Sequence, residues 1–160
     1  MRLSRNAQPC LGGMILAHGF GRRQFSMSHT YCSSLFHCVF STKERQGTIV
    51  PEIQERLWAY MGGIARENEM KALAVGGMED HAHLLLSLPS SLTIAEAMRK
   101  IKGGSSLWMH ESCGMNGFEW QKGYGAFTIG CSQVDATVAY IAGQKEHHRK
   151  RDFRRSFWPF

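Results

Sequence analysis

At 160 residues with 43% hydrophobic content, the chain can bury one ordinary core and has no room for a second, so a single domain is expected. Its net charge of +6 hints at a polyanionic partner, but the basicity lies at the ends: Arg2, Arg5, Arg22 and Arg23 stand without an acid up to residue 27, and residues 145–155 hold six basic against two acidic side chains. The stretch between them is slightly acidic. No apolar run approaches the roughly 18 residues of a membrane span. Five cysteines, Cys10, Cys32, Cys38, Cys113 and Cys131, include no Cys-x-x-Cys pair, which argues against a zinc ribbon or a complete disulfide framework and for a reduced, cytoplasmic setting.

Residues 1–27 read as a disordered leader or a mis-assigned start. Leu11 to Phe20 imitates a signal peptide, yet Gly12, Gly13 and His18 break its apolar run and no small-residue cleavage pattern follows. Tyr31 to Ser41 predicts a strand, closed by the polar Lys43-Glu44-Arg45-Gln46-Gly47. Pro51 at a first helical position, with Glu52 and Glu55 in the opening turn, predicts a helix that turns Ile53, Leu57, Met61 and Ile64 to the core. Ala72 to Met78 and His81 to Leu88 predict two strands whose short link favours a hairpin. Thr93 with Glu96 is a capping box for a second helix, which Gly103-Gly104 is expected to break or kink. Tyr124 to Cys131 predicts a fourth strand, and Ser132 with Asp135 a cap for a last helix from about 133 to about 148. The order βαββαβα predicts an α+β, ferredoxin-like (RRM-like) domain: a four-stranded antiparallel βαββαβ sheet with both helices on one face, and an additional C-terminal helix that carries Tyr140. Residues 28–150 would form this domain and 151–160 a basic tail.

The stretch Glu79-Asp80-His81-Ala82-His83-Leu84-Leu85-Leu86-Ser87-Leu88 carries the chemistry. Alternate strand side chains share a face, so His81 and His83 point one way while Ala82, Leu84, Leu86 and Leu88 point the other. Two neutral imidazoles on one face can share a divalent cation, although paired strand histidines also occur without a ligand. In the last helix Val134, Val138 and Ile141 form the apolar stripe, and Tyr140 and Gln144 are i, i+4 neighbours beside it. A tyrosine there can simply pack. Beside a histidine pair it can also attack a metal-polarised phosphate while the amide oxygen completes the metal shell.

Taken together, these motifs resemble the small single-tyrosine HUH transposases of the shortest bacterial insertion sequences, the 200/605 type. The matching pieces are Val39-Phe40-Ser41-Thr42-Lys43, Gly76-Gly77 with Asp80-His81-Ala82-His83, Lys102 with Ser105-Ser106-Leu107-Trp108, Trp120 through Phe127, and Tyr140 through His148. They occur in family order over most of residues 28 to 150. The resemblance implies that His81 and His83 are the HUH histidines, Tyr140 the nucleophile and Gln144 the third metal ligand, with Mg²⁺ or Mn²⁺ as the cation. It implies cleavage and rejoining of single-stranded DNA through a 5′-phosphotyrosine, hairpin ends of a mobile element as substrate, and a homodimer whose active sites are shared between subunits. His147 and His148 are alternative ligands. Lys43, Arg99 and Lys102 are candidate DNA contacts, although a solvated helix face is the plainer use of the last two. Other readings are a catalytically decayed or domesticated DNA-binding relative, since Trp158-Pro159-Phe160 lacks the family's acidic-aliphatic tail, and a replication-initiator or relaxase-type HUH nuclease. A non-enzymatic RRM-like binder would stack bases on Tyr31 and Phe40. Trp108 and Trp120 are expected to pack rather than to stack on bases.

Overall fold

The computed structural model describes residues 32–144. The leader, Tyr31, the helix end with His147 and His148, and the basic tail lie outside the described residues. Strands β1 (Ser34–Ser41), β2 (Lys71–Met78), β3 (His81–Leu88) and β4 (Gly125–Thr128) form one sheet in the order β2-β3-β1-β4. Every pairing is antiparallel. With α1 (Pro51–Glu67) and α2 (Ile94–Glu111) packed on one face, this is the expected ferredoxin-like α+β layout.

The period-2 pattern of the central strands sets the two faces of the sheet. Cys38 lies opposite Leu84 and Phe40 opposite Ala82, and all four are buried against Leu57 and Met61 of α1 and Met98 and Ile101 of α2. Each large aliphatic in such a core contributes about 1.5–3 kcal/mol relative to exposure. Pro51 opens α1, and Thr93 caps α2 as expected: its Oγ1 accepts from the Glu96 backbone N–H at 3.2 Å, while Glu96 Oε2 accepts from the Thr93 N–H at 3.2 Å.

Three elements depart from expectation. Helix α2 runs unbroken through Gly103-Gly104. A Cβ on Gly104 would stand 2.8 Å from Ile64 Cδ1, so this glycine serves the close approach of α1 and α2 rather than a break. Strand β4 is four residues long rather than the expected Tyr124 to Cys131, and Tyr124 stands just outside it. The Ser132–Asp135 cap does not form. Residues Cys131–Gln133 make a 3₁₀ turn in which Gln133 Oε1 accepts from the Gly130 N–H at 2.9 Å, and α3 (Val134–Ala142) starts at the following residue.

Helix α3 lies on its own sheet, against β2 and β3, on the face away from α1 and α2. Gly76 makes this docking possible, because a Cβ there would meet the Ile141 carbonyl oxygen at 2.9 Å and Ile141 Cγ2 at 3.1 Å. Ile141 is buried in this contact. No helix among the described residues is long and apolar enough to cross a membrane.

Candidate active site

The register puts His81 between Ser41 and Met78, and His83 between Val39 and Gly76. Both histidines therefore point to the face that α3 covers. They were expected outside the core. Although they face away from the apolar core, both are fully buried, because α3 lies over them. The Tyr140 ring meets His83 edge-on with 5.6 Å between centroids, and it lies 5.9 Å from His37. One turn on, Gln144 is 2% exposed, and its Nε2 donates to the Tyr140 carbonyl at 3.1 Å. Of the four residues singled out in the sequence, His81, His83 and Tyr140 thus meet within one chain, and Gln144 stands one turn beyond Tyr140. Within the described chain α3 packs against β2 and β3 of its own sheet.

Both imidazoles are oriented by hydrogen bonds at Nδ1. His81 Nδ1 donates to Asp80 Oδ1 at 2.6 Å, and Asp80 Oδ2 accepts from Arg45 Nε at 3.0 Å and Nη2 at 2.8 Å. Burial by itself would raise the Asp80 pKa. The hydrogen bonds from His81 and Arg45 and their charges outweigh it and bring the pKa from 3.8 down to about 2. His83 Nδ1 lies 3.0 Å from Nε2 of His37, whose ring stacks on it and whose pKa is lowered by burial. In each histidine, Nε2 is then the nitrogen suited to a cation. The Arg45 contact comes from a strained turn: Glu44 and Arg45 adopt φ of 54° and 56°. Thr42 holds this turn, its N–H donating to the Asp80 carbonyl at 2.9 Å and its Oγ1 to the Gln46 carbonyl at 2.6 Å.

His37, Asp80 and Arg45 were missed as site residues. Asp80 adjoins the histidine pair, and His37 is in phase with Val39 and Ser41 on the same strand face, so alternation was the available signal. Arg45 gave no signal, because only the turn's folded path brings it to Asp80.

The residues suit a hard divalent cation. Gln144 Oε1 is buried and accepts no hydrogen bond among the described residues, which is costly for an amide unless a cation or donor takes it up. Among the described residues no three His, Cys, Asp or Glu side chains cluster as metal ligands, so two imidazoles and one amide oxygen are the donors on offer.

The expected basic contacts fare differently. Lys102 Nζ donates to the carbonyls of Gln121 at 2.7 Å and Gly123 at 2.6 Å, so it is directed at a loop. Lys43 is ion-paired with Glu119 at 2.7 Å. Arg99 is exposed on α2. Trp120 donates to Ser105 Oγ and packs edge-on against Phe40 and Phe118, and Trp108 stacks on Tyr60, so both tryptophans pack as expected. Phe40 is core on the helix face, which removes a base-stacking platform from the RRM-like reading.

Comparison with known proteins shows what this ferredoxin-like sheet, with two strand histidines meeting a helical tyrosine, is similar to. The family model described as "Transposase IS200 like" matches residues 30–144. The chain belongs to the IS200-like transposase family, whose members cleave DNA and transfer its strands. It is 27% identical over 111 residues to the transposase for insertion sequence element IS200 of Salmonella typhimurium, covering 66% of this chain and 73% of that protein. It is 30% identical over 71 residues to the ISDra2 transposase TnpA of Deinococcus radiodurans, covering 44% and 51%. Among solved structures, the REP-associated tyrosine transposase bound to a REP hairpin is similar in fold, with a TM-score of 0.58 at 18% identity over 82% of this chain and 78% of that one.

Proposed function

We propose that this transposase cleaves and rejoins single-stranded DNA, with Tyr140 as nucleophile and His81, His83 and Gln144 as the ligands of Mg²⁺ or Mn²⁺. The observation that carries this reading is the convergence of the Tyr140 ring on His83 beside the buried, unsatisfied Gln144 Oε1. When bound, the cation supplies Lewis-acid polarisation of a phosphate oxygen and stabilises the charge that develops there. Tyr140 Oη forms the bond to phosphorus and the bond from phosphorus to the 3′ oxygen breaks. The phenol gives up a proton and the 3′ oxygen takes one, so the step is proton-neutral overall. The product is a 5′-phosphotyrosine and a free 3′-hydroxyl, and a later 3′-hydroxyl reverses the chemistry. Phosphodiester energy is kept in the covalent link, so no nucleotide is consumed. The REP hairpin in the structural neighbour supports hairpin ends as the substrate, and the reaction would run in the cytoplasm.

The test is cleavage of labelled single strands and duplexes with Mg²⁺, Mn²⁺ or chelator. Metal-dependent cutting of the single strand alone is expected, and metal-independent cutting would contradict the ligand set. The shared-site homodimer remains open to a second test, since α3 hangs on the short Cys131–Gln133 turn and has a means of exchanging between copies. Mixing His81→Ala with Tyr140→Phe restores cleavage if the helix exchanges. No recovery, with subunit mixing confirmed, leaves the intrachain site.

A further inference from the structure

The segment from Trp120 to Phe127 is prominent in the sequence, yet it supplies none of the residues given a role above. It borders a cavity of about 320 Å³ on the same sheet face as the histidines, and no described residue of α3 lines it. Val39 and Ser41 of β1, Gly125 and Phe127 of β4, Tyr124 and Arg45 line it. The register places it beside the site: Gly125 pairs with Val39, and Val39 pairs with His83. At about 4.8 Å between neighbouring strands, the cavity begins within about 10 Å of the His83 backbone.

Two features are unexpected for a surface hollow. Tyr124 is 40% exposed and Phe127 47%, so two of the large apolar side chains that the core leaves out stand together at its rim. Its wall is also fixed in advance. Lys102 donates to the carbonyls of Gln121 and Gly123 and lies 5.5 Å over the Phe40 ring, the Gln121 N–H bonds the Ser41 carbonyl at 2.9 Å, and Trp120 bridges to Thr42. Gly125 keeps the floor low: a Cβ there would stand 3.1 Å from Val39 Cγ1 and 3.2 Å from Phe127 Cε2.

We infer that this cavity holds one unpaired nucleobase of the DNA strand, stacked on Phe127 or Tyr124, one or two nucleotides from the phosphate that Tyr140 attacks. Exposed aromatic rings beside a cation, here Lys122, are the chemistry that sequence-tolerant single-strand binding uses. A base is flat and apolar on its faces and carries a phosphate on either side, which matches rings at the rim and positive charge beside them. A pre-formed wall lowers the ordering cost of binding. The assignment rests on the single-strand reading above, and it gives Lys102 a role in that reading as the residue that holds the pocket wall.

The experiment uses the full chain and two fluorescent probes of equal length, an oligothymidylate of about 15 nucleotides and a strand of abasic residues, in chelator so that no cleavage intervenes. Phe127→Ala should weaken oligothymidylate binding about tenfold and leave abasic binding unchanged, because only the former loses a stack. Phe127→Trp should restore affinity, and Gly125→Val, which fills the floor, should weaken it as alanine does. Circular dichroism checks that each variant is folded. With a strand carrying 5-iododeoxyuridine, photocrosslinks should map to Phe127 or Tyr124. If the wild type binds oligothymidylate but Phe127→Ala binds it equally well, or the crosslinks fall elsewhere, the pocket assignment is overturned and the single-strand reading stands. The same holds if Phe127→Ala changes only the sedimentation of the protein, which would make the patch a contact between copies. If the wild type binds neither probe, the single-strand reading falls and the pocket falls with it.

Discussion

The two faces of strand β3 are built from the same eight residues and do different work. Toward α1 and α2, Ala82, Leu84, Leu86 and Leu88 belong to the apolar core. Toward α3, His81 and His83 are equally buried, but each is held by a hydrogen bond to another polar side chain, Asp80 or His37. Burial by itself therefore does not separate core from site. What separates them is how burial is compensated: by packing on one face, and on the other by a network of polar groups whose geometry has to be right.

Neighbouring residues on the two faces give the sharpest contrast. His83→Ala should reduce metal-dependent cleavage to background while costing about 1–3 kcal/mol of stability, because it removes a buried ring together with its hydrogen bond to His37. Chemical denaturation beside a cleavage assay reads both. Leu84→Ala should do the reverse, lowering stability by about 2–5 kcal/mol while the folded fraction still cleaves. Equal loss of cleavage by both variants, at a temperature where both are folded, would erase the distinction between the faces. A smaller effect is expected one shell out. Asp80→Asn keeps the shape and an acceptor for His81 but removes the charge that Arg45 faces, and Mn²⁺ affinity measured by calorimetry should fall about 10–100-fold.

The smallest effect is on acid stability. The Asp80 pKa is lower in the folded protein than its ordinary 3.8, at about 2, so between these values the unfolded chain binds more protons. The stabilisation is complete above about pH 4 and lost as pH falls toward 2, on the order of 1–2 kcal/mol. Acid titration of the metal-free protein should show this loss, and Asp80→Asn should flatten it.

Much of this was legible in the sequence because local rules and tertiary demands agreed. The alternation over His81 to Leu88 assigned both faces correctly, and the Thr93–Glu96 box and Pro51 marked helix starts that the structure keeps. Where the two disagreed, tertiary packing decided. Gly104 is read by helix propensity as a break and by Ile64 as a place to pack. Ser132 and Asp135 have cap spacing, but the 3₁₀ turn at Cys131–Gln133 uses Gln133 instead. Lys102 looked like a free cation because sequence does not show the two carbonyls that claim it. The Arg45–Asp80 pair was invisible for a related reason: two successive residues with positive φ bring it about, and no propensity favours them.

The central claim is that the polar face is a strand-cleaving site completed by Tyr140, and the most direct test is to isolate the protein–DNA adduct and find its attachment point. Wild-type protein incubated with single-stranded DNA and Mn²⁺, digested and analysed by mass spectrometry, should yield one peptide carrying a 5′-phosphate nucleotide on Tyr140. Tyr140→Phe, which removes one oxygen and keeps the ring against His83, should bind the strand and yield no adduct. An adduct on Tyr124 or any other residue, or one that persists in Tyr140→Phe, would contradict the account.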